Sequence, residues 1–351
     1  MNTAIAAARL DNQCITASPR RRPEDVVARL GAVQAQDYPA ARWALALRMR
    51  EGAMAADVDR ALNDGRIIRT HVLRPTWHFV VPADLGWMLE LTAPRVRQAL
   101  AFANRHYELD PKLRARATRA FERALGDAPC LTRQELGARL KRARVDATGV
   151  RLALLTIEAE LEGVICSGPA RGAQMTYALR ASRVPAAPAV PRDEALGELT
   201  RRYLASHGPA SIRDLSWWSG MTAKDARRGL EIAGARQHAI DGIVYWTIGD
   251  LPRRQPSRAQ VHLLPIYDEY LVAYRDLAAV PRPPATRGRL QPAVVIGGEI
   301  VGTWRTLRAK DGVVLQVAAD RRLAEQERRA LARTAERYQR FAGVAVSVAV
   351  K

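Results

Sequence analysis

The sequence contains few cysteines, few lysines and no long apolar run, and each shortage excludes a class of protein. The three cysteines, Cys14, Cys130 and Cys166, form no CxxC pair, so the sequence supports neither a disulfide framework nor a structural zinc site. No stretch approaches the roughly 18 consecutive apolar residues of a membrane-spanning helix, and the N-terminus lacks the basic start of a secretion signal. We therefore expect a cytoplasmic protein with no membrane partner.

Motifs that carry common enzyme chemistry are also absent. No Gly-rich phosphate loop of either standard spacing follows a strand, which argues against a nucleotide-binding ATPase and against a dinucleotide enzyme. The six histidines include no pair spaced four residues apart and have no nearby cysteine, so no metal site is predicted. There is no GxSxG elbow, and the cysteines lack the electropositive surroundings of a nucleophile. We expect a protein that needs no cofactor.

Acidic residues are scarce relative to basic ones. The 55 Lys and Arg residues outnumber the 36 Asp and Glu residues, which gives a net charge of +19, and all but five of the basic residues are arginine. A GC-rich genome would explain arginine in place of lysine, but it would not explain the surplus itself. A polyanion is the partner that such a chain binds best, because contact with phosphates releases condensed counterions.

Helical periodicity dominates the first half of the chain, and short strand-like runs interrupt it. Apolar residues recur at helical spacing after Pro23, a second helix follows Pro39, and a third covers 55–62. The runs 67–73 and 76–81 are rich in β-branched and aromatic residues, which is typical of a hairpin. Three helices followed by a two-stranded wing predict a winged helix.

The same order of elements recurs twice. Thr132 and Glu135 have the form of a capping box, and a helix over 149–161 and a Gly-rich hairpin follow. A proline-rich stretch, 184–191, then precedes a third copy over 208–248, which contains an Asp-Gly hairpin signal. The sequence therefore predicts tandem winged helix-turn-helix units.

The last ~90 residues differ in character. Strand-like runs at 261–264, 266–274 and 294–304 precede a helix over 323–341 and a closing strand at 344–350. We therefore expect a fold that is mainly α with small β-sheets, of the α+β class, in which the winged units join a C-terminal α+β module.

The expected domains follow from these patterns. They are a first winged-helix region at 1–125, a second unit at 126–190, a third unit at 191–258 and the C-terminal module at 259–351. Because each repeated unit would contact mainly its neighbours along the chain, we expect an elongated, curved molecule.

One short segment stands out: Gln34-Ala35-Gln36, followed by Asp37, at the end of the helix that begins at Pro23. Glutamines at a helix end commonly cap carbonyls or face solvent. Together with the run RPTWHF at 74–79 and the run LPIYD at 264–268, however, this segment resembles the AlkZ-like family of winged-helix DNA glycosylases. The resemblance covers nearly the whole chain, and three such segments in the same order are fairly specific.

The resemblance implies a positively charged concave surface for double-stranded DNA and a catalytic QxQ motif, which here falls on Gln34 and Gln36. An amide oxygen is a weak base, but a purine alkylated at N3 or N7 is already cationic and leaves without a general acid. Two oriented amide oxygens that position water beside an oxocarbenium-like sugar then suffice. An unmodified purine would need more than that.

The leading hypothesis is a monofunctional DNA glycosylase that hydrolyses the N-glycosidic bond of such cationic purines, with crosslink adducts as a further substrate class to consider. We expect a monomer without a protein partner that associates with the nucleoid when it is bound to DNA. The alternative is a non-catalytic winged-helix DNA-binding protein or transcriptional regulator, which would read DNA with the recognition helix of its third unit.

Carboxylates beside these motifs are further candidates for the site. Related enzymes have a carboxylate at the second motif position, whereas this chain has Gln36 there and Asp37 next to it. Capping of the following helix is the simpler role for Asp37. Asp268, Glu269 and Asp276 match the family's Tyr- and Asp-rich segment, although acidic residues in a basic protein often serve as arginine partners.

The hairpin and the tryptophans give two more expectations. Alternation places His78 on the face opposite Trp77 and Phe79, where it either contacts phosphate or the flipped nucleotide or is a half-buried structural histidine. Trp77 and Phe79 should then face the core. Among the tryptophans, Trp304 after the Gly297-Gly298 turn is the one expected to be an exposed contact.

The basic residues expected to contact DNA lie on the hairpin, the second wing, the third unit's recognition helix, the connector and the Pro-rich loop. Arginine suits phosphate because its planar fork donates two parallel hydrogen bonds. In chain order, these residues are Arg74, Arg171, Lys224, Arg227, Arg228, Arg253, Arg254, Arg258, Arg282, Arg287 and Arg289.

Overall fold

The computed structural model describes residues 2–251, 257, 259–275, 277, 279–281 and 290–351. In these residues the helices are α1 (Asn2–Asn12), α2 (Pro23–Leu30), α3 (Tyr38–Leu47), α4 (Ala55–Asn63), α5 (Pro82–His106), α6 (Pro111–Gly126), α7 (Arg133–Arg142), α8 (Gly149–Leu161), α9 (Arg180–Arg183), α10 (Arg192–His207), α11 (Ile212–Ser219), α12 (Ala223–Ile232), α13 (Glu269–Val272) and α14 (Glu325–Ala342). The strands are β1 (Val33–Gln34), β2 (Ile68–His71), β3 (Trp77–Val80), β4 (Leu131–Thr132), β5 (Ile165–Ser167), β6 (Thr176–Leu179), β7 (Arg236–Ile240), β8 (Ile243–Thr247), β9 (Val261–Leu264), β10 (Ala293–Ile296), β11 (Glu299–Ala309), β12 (Gly312–Ala319) and β13 (Val346–Val350). None of the helices within this described part is both long and apolar enough to span a membrane.

Three units repeat one order of elements: a helix, a short strand, two helices and a hairpin. The first contains α2, β1, α3, α4, β2 and β3, and the second contains α6, β4, α7, α8, β5 and β6. Their sheets have the matching orders β1-β3-β2 and β4-β6-β5. In the third unit α10, α11 and α12 precede β7 and β8, and a bridge between Ala210 and Trp246 replaces the short strand. This repetition confirms the expected winged helix-turn-helix units.

Local capping defines several helix ends in these units. The Thr132 side chain accepts a hydrogen bond from the Glu135 amide at 3.2 Å, and the Glu135 carboxylate accepts the Thr132 amide at 2.7 Å, so the predicted capping box closes at the start of α7. Gly220 ends α11 with a φ of +71°. A Cβ at Gly220 would collide with the carbonyl oxygen of Leu73, so the third unit approaches the first closely at this turn.

The packing of α6 places it in the second unit. Its buried residues, among them Phe121 and Leu125, share one core with Leu136 of α7, Leu155 of α8 and Ile165 of β5. The boundary expected at residue 125 would separate α6 from this core, so the packing favours a boundary before α6. The sequence pattern also gave no prediction of α1 or of the long helix α5.

The C-terminal module is built on a five-stranded sheet with the order β13-β12-β11-β10-β9, in which β12 and β13 are parallel. The expected strands at 261–264, 294–304 and 344–350 and the helix over 323–341 are confirmed. The strand expected over 266–274 is wrong. Asp268 caps α13 there by accepting the Tyr270 amide at 2.9 Å, which starts a helical turn instead.

The units pack on one another out of chain order. α10 of the third unit lies against α1, α2 and α5, and the largest core joins Trp43 of α3, Trp218 of α11, Leu264 of β9 and Trp304 of β11. The expectation that each unit would contact mainly its chain neighbours is therefore wrong.

Helix α1 contacts both the third unit and the C-terminal module through Arg9. The Arg9 Nε donates to the Pro209 carbonyl oxygen at 2.9 Å, and Arg9 Nη2 lies 3.6 Å from the Asp214 carboxylate. The same guanidinium is 3.7 Å from the centre of the Tyr274 ring. A fully buried guanidinium needs such partners, because desolvation of an unpaired charge is costly.

A second buried arginine joins the first unit to the C-terminal module. Arg48, directly after α3, donates to both oxygens of Asp268 at 2.8 Å, and neither side chain is exposed to solvent. Arg48 also donates to Gln13 at 2.7 Å and to the Ala44 carbonyl oxygen at 2.9 Å. The two charges therefore neutralise each other, and both terminal nitrogens of Arg48 have hydrogen-bond acceptors.

Replacement of Asp268 with Asn leaves the Arg48 charge buried without a counterion. We expect the free energy of unfolding to fall by about 3–5 kcal/mol, measured by urea denaturation. The exposed pair Arg22–Asp25 supplies the matched control, since Asp25→Asn should cost no more than about 1 kcal/mol. Equal losses in the two variants would contradict the importance of the buried pair.

Candidate functional site

A cavity of about 880 Å³ lies where the first unit, α5, the third unit and the C-terminal module meet. Most of its described wall is apolar, and the polar groups come from separate parts of the chain. They include Gln34, Arg74, Thr76, Arg95, Trp217, Tyr267 and Arg275. A concave, mostly apolar site with a few convergent polar groups is typical of a ligand pocket.

The backbone is strained in two residues of this wall. Leu73 and Tyr267 both have a φ of +63°, in the left-handed region that L side chains rarely adopt. Such a conformation costs of the order of 1–3 kcal/mol and persists where the surrounding packing imposes it, commonly at functional sites. The strain therefore marks both sides of the cavity, since Leu73 belongs to the first unit and Tyr267 to the C-terminal module.

Gln34 lies on a strand, not at the helix end expected from the sequence. Helix α2 stops at Leu30, Gly31 has a φ of +81°, and β1 then pairs antiparallel with β3, which places Gln34 opposite His78. The side-chain Nε2 of Gln34 donates to Thr76 Oγ1 at 3.4 Å. Its Oε1 is buried and accepts no hydrogen bond from any described residue. A buried acceptor without a donor has capacity for a water or a ligand.

Gln36 is placed differently. It is exposed, and it is absent from the described lining of the cavity. Its side-chain oxygen accepts the Trp77 amide at 3.4 Å, and its carbonyl oxygen accepts Arg69 Nη2 at 3.4 Å. The structure therefore brings Gln34 to the cavity and leaves Gln36 beside the hairpin.

The candidate carboxylates also have different surroundings. Asp37 accepts the Ala40 amide at 3.0 Å and caps α3, which confirms the capping role. Asp268 is fully buried in its pair with Arg48, so both of its oxygens have structural partners, and it does not line the described cavity. Asp276 lies outside the described residues.

Glu269 is the carboxylate that contacts the QxQ segment. One oxygen accepts the Gln34 amide at 2.6 Å; the other accepts Trp218 Nε1 at 3.0 Å and lies 3.4 Å from His207 Nε2. Burial alone would raise the pKa of the Glu269 carboxyl, but His207, Arg74 and the Gln34 amide together lower it to about 2. Glu269 is therefore an ionised carboxylate directly behind Gln34.

Arg74 lies in the cavity wall with much of its hydrogen-bonding capacity unused. Its Nη1 is 3.5 Å from the Val272 carbonyl oxygen, while Nε and Nη2 are buried and have no partner among the described residues. Burial lowers the pKa of Arg74, and the nearby Glu269 opposes that shift. An arginine nevertheless keeps its proton in proteins, so the wall holds a cation with free donors.

His78 does not match either role expected from the sequence. It is fully buried, and neither ring nitrogen has a hydrogen-bond partner in the described part of the chain. Burial, followed by the Arg74 charge, lowers the pKa of His78 to about 3, so the imidazole is neutral. A fully buried ring outside the described cavity wall contacts neither phosphate nor a flipped nucleotide, and a ring without hydrogen bonds to the described residues is not the satisfied, half-buried histidine of the alternative.

The two apolar residues of the hairpin, Trp77 and Phe79, differ in burial. Phe79 is buried in the core of the first unit, as expected. Trp77 is only half-buried, and the Arg69 guanidinium lies 4.2 Å from its ring centre. A cation over an aromatic face is favourable, so Trp77 packs under arginine instead of in the core.

The exposed tryptophan is Trp217, not Trp304. Trp304 is buried, and its Nε1 donates to the Leu264 carbonyl oxygen at 2.8 Å. Trp217 is 41% exposed, lines the cavity, and has the Arg275 guanidinium 5.0 Å from its ring. The sequence prediction missed Trp217 because its neighbour Trp218 is fully buried, and an adjacent aromatic pair on a short helix does not reveal which residue faces outward.

The remaining basic residues differ in whether they form an ion pair with a carboxylate. On α12, Lys224 and Arg227 are exposed and have no carboxylate partner within the described residues, whereas Arg228 pairs with Asp193 at 2.7 Å. Arg171 likewise pairs with Glu135 at 2.7 Å. These four residues are absent from the described cavity lining, which instead contains Arg95 and Arg275. The other predicted contacts, Arg253, Arg254, Arg258, Arg282, Arg287 and Arg289, lie outside the described residues.

Known proteins are similar to this chain in sequence and in fold. The family model described as "DNA glycosylase AlkZ-like" matches residues 27–341. The chain is 28% identical over 310 residues to a Streptomyces sahachiroi protein named "Interstrand DNA cross-link repair glycosylase", and the match covers 82% of this chain and 83% of that protein. The solved structure described as "Streptomyces sahachiroi DNA glycosylase AlkZ" matches with a TM-score of 0.79 at 25% identity, covering 100% of this chain and 99% of that chain.

The buried, neutral state of His78 predicts a loss of stability in acid. An unfolded histidine binds a proton below a pKa of about 6.5, whereas folded His78 binds one only near pH 3, so its contribution is present at neutral pH and is lost as pH falls. Between pH 7.5 and pH 5, His78→Leu should lose about 2 kcal/mol less of its unfolding free energy than the wild type. Urea denaturation at both pH values measures the difference, and equal losses would contradict the assignment.

Proposed function

The chain belongs to the AlkZ-like DNA glycosylase family, as its three short segments predicted, and we propose that it releases cationic N3- or N7-alkylated purines from double-stranded DNA by hydrolysis. Membership in this family makes the chain a DNA-binding glycosylase, which decides against the transcriptional regulator. The observation that carries the substrate proposal is the buried, unpartnered Gln34 Oε1 in the wall of the cavity. A neutral amide can do the chemistry only where the leaving base carries its own charge.

The proposed reaction has a simple balance of atoms and electrons. Water attacks C1′ of the deoxyribose, the N-glycosidic bond breaks, and its electron pair moves to the purine, which thereby loses its positive charge. One proton of the attacking water passes to solvent, and an abasic site remains. Gln34 Oε1 accepts a hydrogen bond from this water and faces the positive charge that develops on the sugar.

Crosslink adducts are a proposed second substrate class. The Streptomyces sahachiroi relative is named for interstrand crosslink repair. The cavity of about 880 Å³ is at the upper end of the roughly 300–1,000 Å³ that is typical of ligand pockets, so it offers more room than a methylated base needs. We therefore propose that a purine with a bulky alkyl substituent also fits.

The proposed DNA contacts are basic groups with free donors. Arg74 is placed to bind a phosphate next to the flipped nucleotide, because two of its nitrogens have no partner among the described residues. Lys224 and Arg227 contact the DNA phosphate backbone from α12. Arg171 and Arg228 contribute less to DNA binding, because each is paired with a carboxylate.

We propose that the protein acts as a monomer in the cytoplasm, without a protein partner or cofactor. No cluster of three or more metal-ligating side chains is present in the described portion of the chain.

Gln34→Ala tests the hydrolytic role directly. In single-turnover assays on duplex DNA that contains 7-methylguanine, we expect base release to slow by about 100-fold, comparable to the loss of one transition-state hydrogen-bonding group. Gln36→Ala should slow release less, because Gln36 is exposed and outside the described cavity wall. Gln326→Ala, an exposed position on α14, is the matched control. No release by the wild-type protein, or equal rates for Gln34→Ala and the control, would exclude the proposal.

The double variant Lys224→Ala, Arg227→Ala tests the proposed contact of α12. The slope of log K against log salt is negative, and each lost phosphate contact makes it less negative by about 0.9. The slope of the double variant should therefore be less steep than that of the wild type by nearly two. The measurement is binding to undamaged duplex DNA between low and physiological salt. Arg328→Ala removes a cation from α14 that is paired with Glu325, and it serves as the control. An unchanged slope in the double variant would remove α12 from the DNA surface.

A further inference from the structure

The proposed chemistry places a positive charge on the sugar, which the two neutral glutamines stabilise only through their amide dipoles. Both glutamines are neutral, and the described polar wall of the cavity contains the cations Arg74, Arg95 and Arg275. A sugar that becomes positive in the transition state is disfavoured by such a wall unless an anion lies close to it. Asp37 is occupied as a helix cap, and Asp268 is paired with Arg48.

Glu269 is the anion with the required position. Strand β1 pairs with β3 along one edge, and the Gln34 amide points away from that edge to the Glu269 carboxylate at 2.6 Å. The carboxylate is fully buried and has its other oxygen 3.0 Å from Trp218 Nε1. It is therefore fixed by three parts of the chain: α13, β1 and α11.

We propose that Glu269 is a positioning residue of this glycosylase, which holds Gln34 in place and supplies the negative potential that favours the cationic sugar. The inference rests on the proposed function, because it presupposes a sugar that gains positive charge. Glu269 does not line the described cavity. It acts through the Gln34 backbone and through space, and it does not touch the reacting atoms.

The surrounding charges make this effect conditional on bound DNA. In the free protein His207 and Arg74 both lie near Glu269, but burial lowers the pKa of His207, so the Arg74 cation is the charge that offsets the field of the carboxylate. When a DNA phosphate occupies the free donors of Arg74, that cation is neutralised from its other side, and the Glu269 charge then acts on the sugar. Two charges interact several times more strongly beside a protein than in bulk water, because the effective dielectric constant is lower.

Binding of two abasic-site analogues distinguishes an electrostatic role of Glu269 from a purely structural role. One duplex carries a pyrrolidine abasic analogue with a protonated ring nitrogen, which mimics the cationic sugar, and the other carries a neutral tetrahydrofuran analogue. The wild-type protein should bind the cationic analogue more tightly. In Glu269→Gln this preference should fall by about 10-fold, and kcat on 7-methylguanine DNA should fall about 10- to 100-fold with little change in KM.

Two further variants control the experiment. Glu269→Asp keeps the charge but shortens its reach, so it should retain most of the cationic preference while kcat falls. Glu160→Gln removes a different buried carboxylate, which pairs with His71 on β2, and it should alter stability without altering the preference. Circular dichroism and urea denaturation report whether each variant is folded.

The outcomes distinguish this inference from the proposed function. If the wild type releases the base but folded Glu269→Gln keeps the full preference, or loses affinity for both analogues equally, Glu269 has only a structural role and the inference is overturned. A wild-type protein without any cationic preference overturns it as well. If no base is released, the proposed function fails, and the ratio of analogue affinities still decides the role of Glu269. If Glu269→Gln does not fold, Glu269→Asp tests the role of Glu269 instead. Loss of the preference for the cationic analogue together with a fall in kcat in Glu269→Asp would contradict the inference.

Discussion

Two consecutive buried carboxylates, Asp268 and Glu269, hold the site together, since a buried charge must have a partner. Asp268 is neutralised by Arg48 after α3, and Glu269 accepts the Gln34 amide and Trp218 Nε1. The one-turn helix α13 therefore anchors the C-terminal module to the first and third units at the same point. The cavity lies at this junction, so its shape depends on both carboxylates keeping their partners.

The same junction positions Gln34, the neutral group that we propose takes part in the hydrolysis. Gln34 is fixed by its strand pairing, by Thr76 and by Glu269, which leaves its buried Oε1 as an acceptor without a described donor. A pre-oriented acceptor loses little free energy to reorganisation when charge develops beside it. In the mechanism that we propose, Arg74 of the wall binds the phosphate, and the Glu269 carboxylate behind Gln34 favours the cationic sugar.

Local patterns predicted most of the elements but few of their partners. The capping box of Thr132 and the hairpins followed from short-range rules, and the three short segments led to the correct family. The same rules failed for 266–274, where Asp268 starts a helical turn in a run with strand-like composition. They also failed for His78 and Trp304, because burial is decided by other units that pack on these residues, and neither periodicity nor composition contains that information.

The sequence by itself determined the α+β class, the repeated winged units, the surplus of positive charge and the motif that contains Gln34 and Gln36. Only the tertiary structure decided that Gln34 lines a cavity while Gln36 does not, that Asp268 is a structural counterion, and that Glu269 faces Gln34. The physical reason is distance along the chain. Glu269 and Gln34 are separated by 235 residues, and their contact exists only because the C-terminal module packs back onto the first unit.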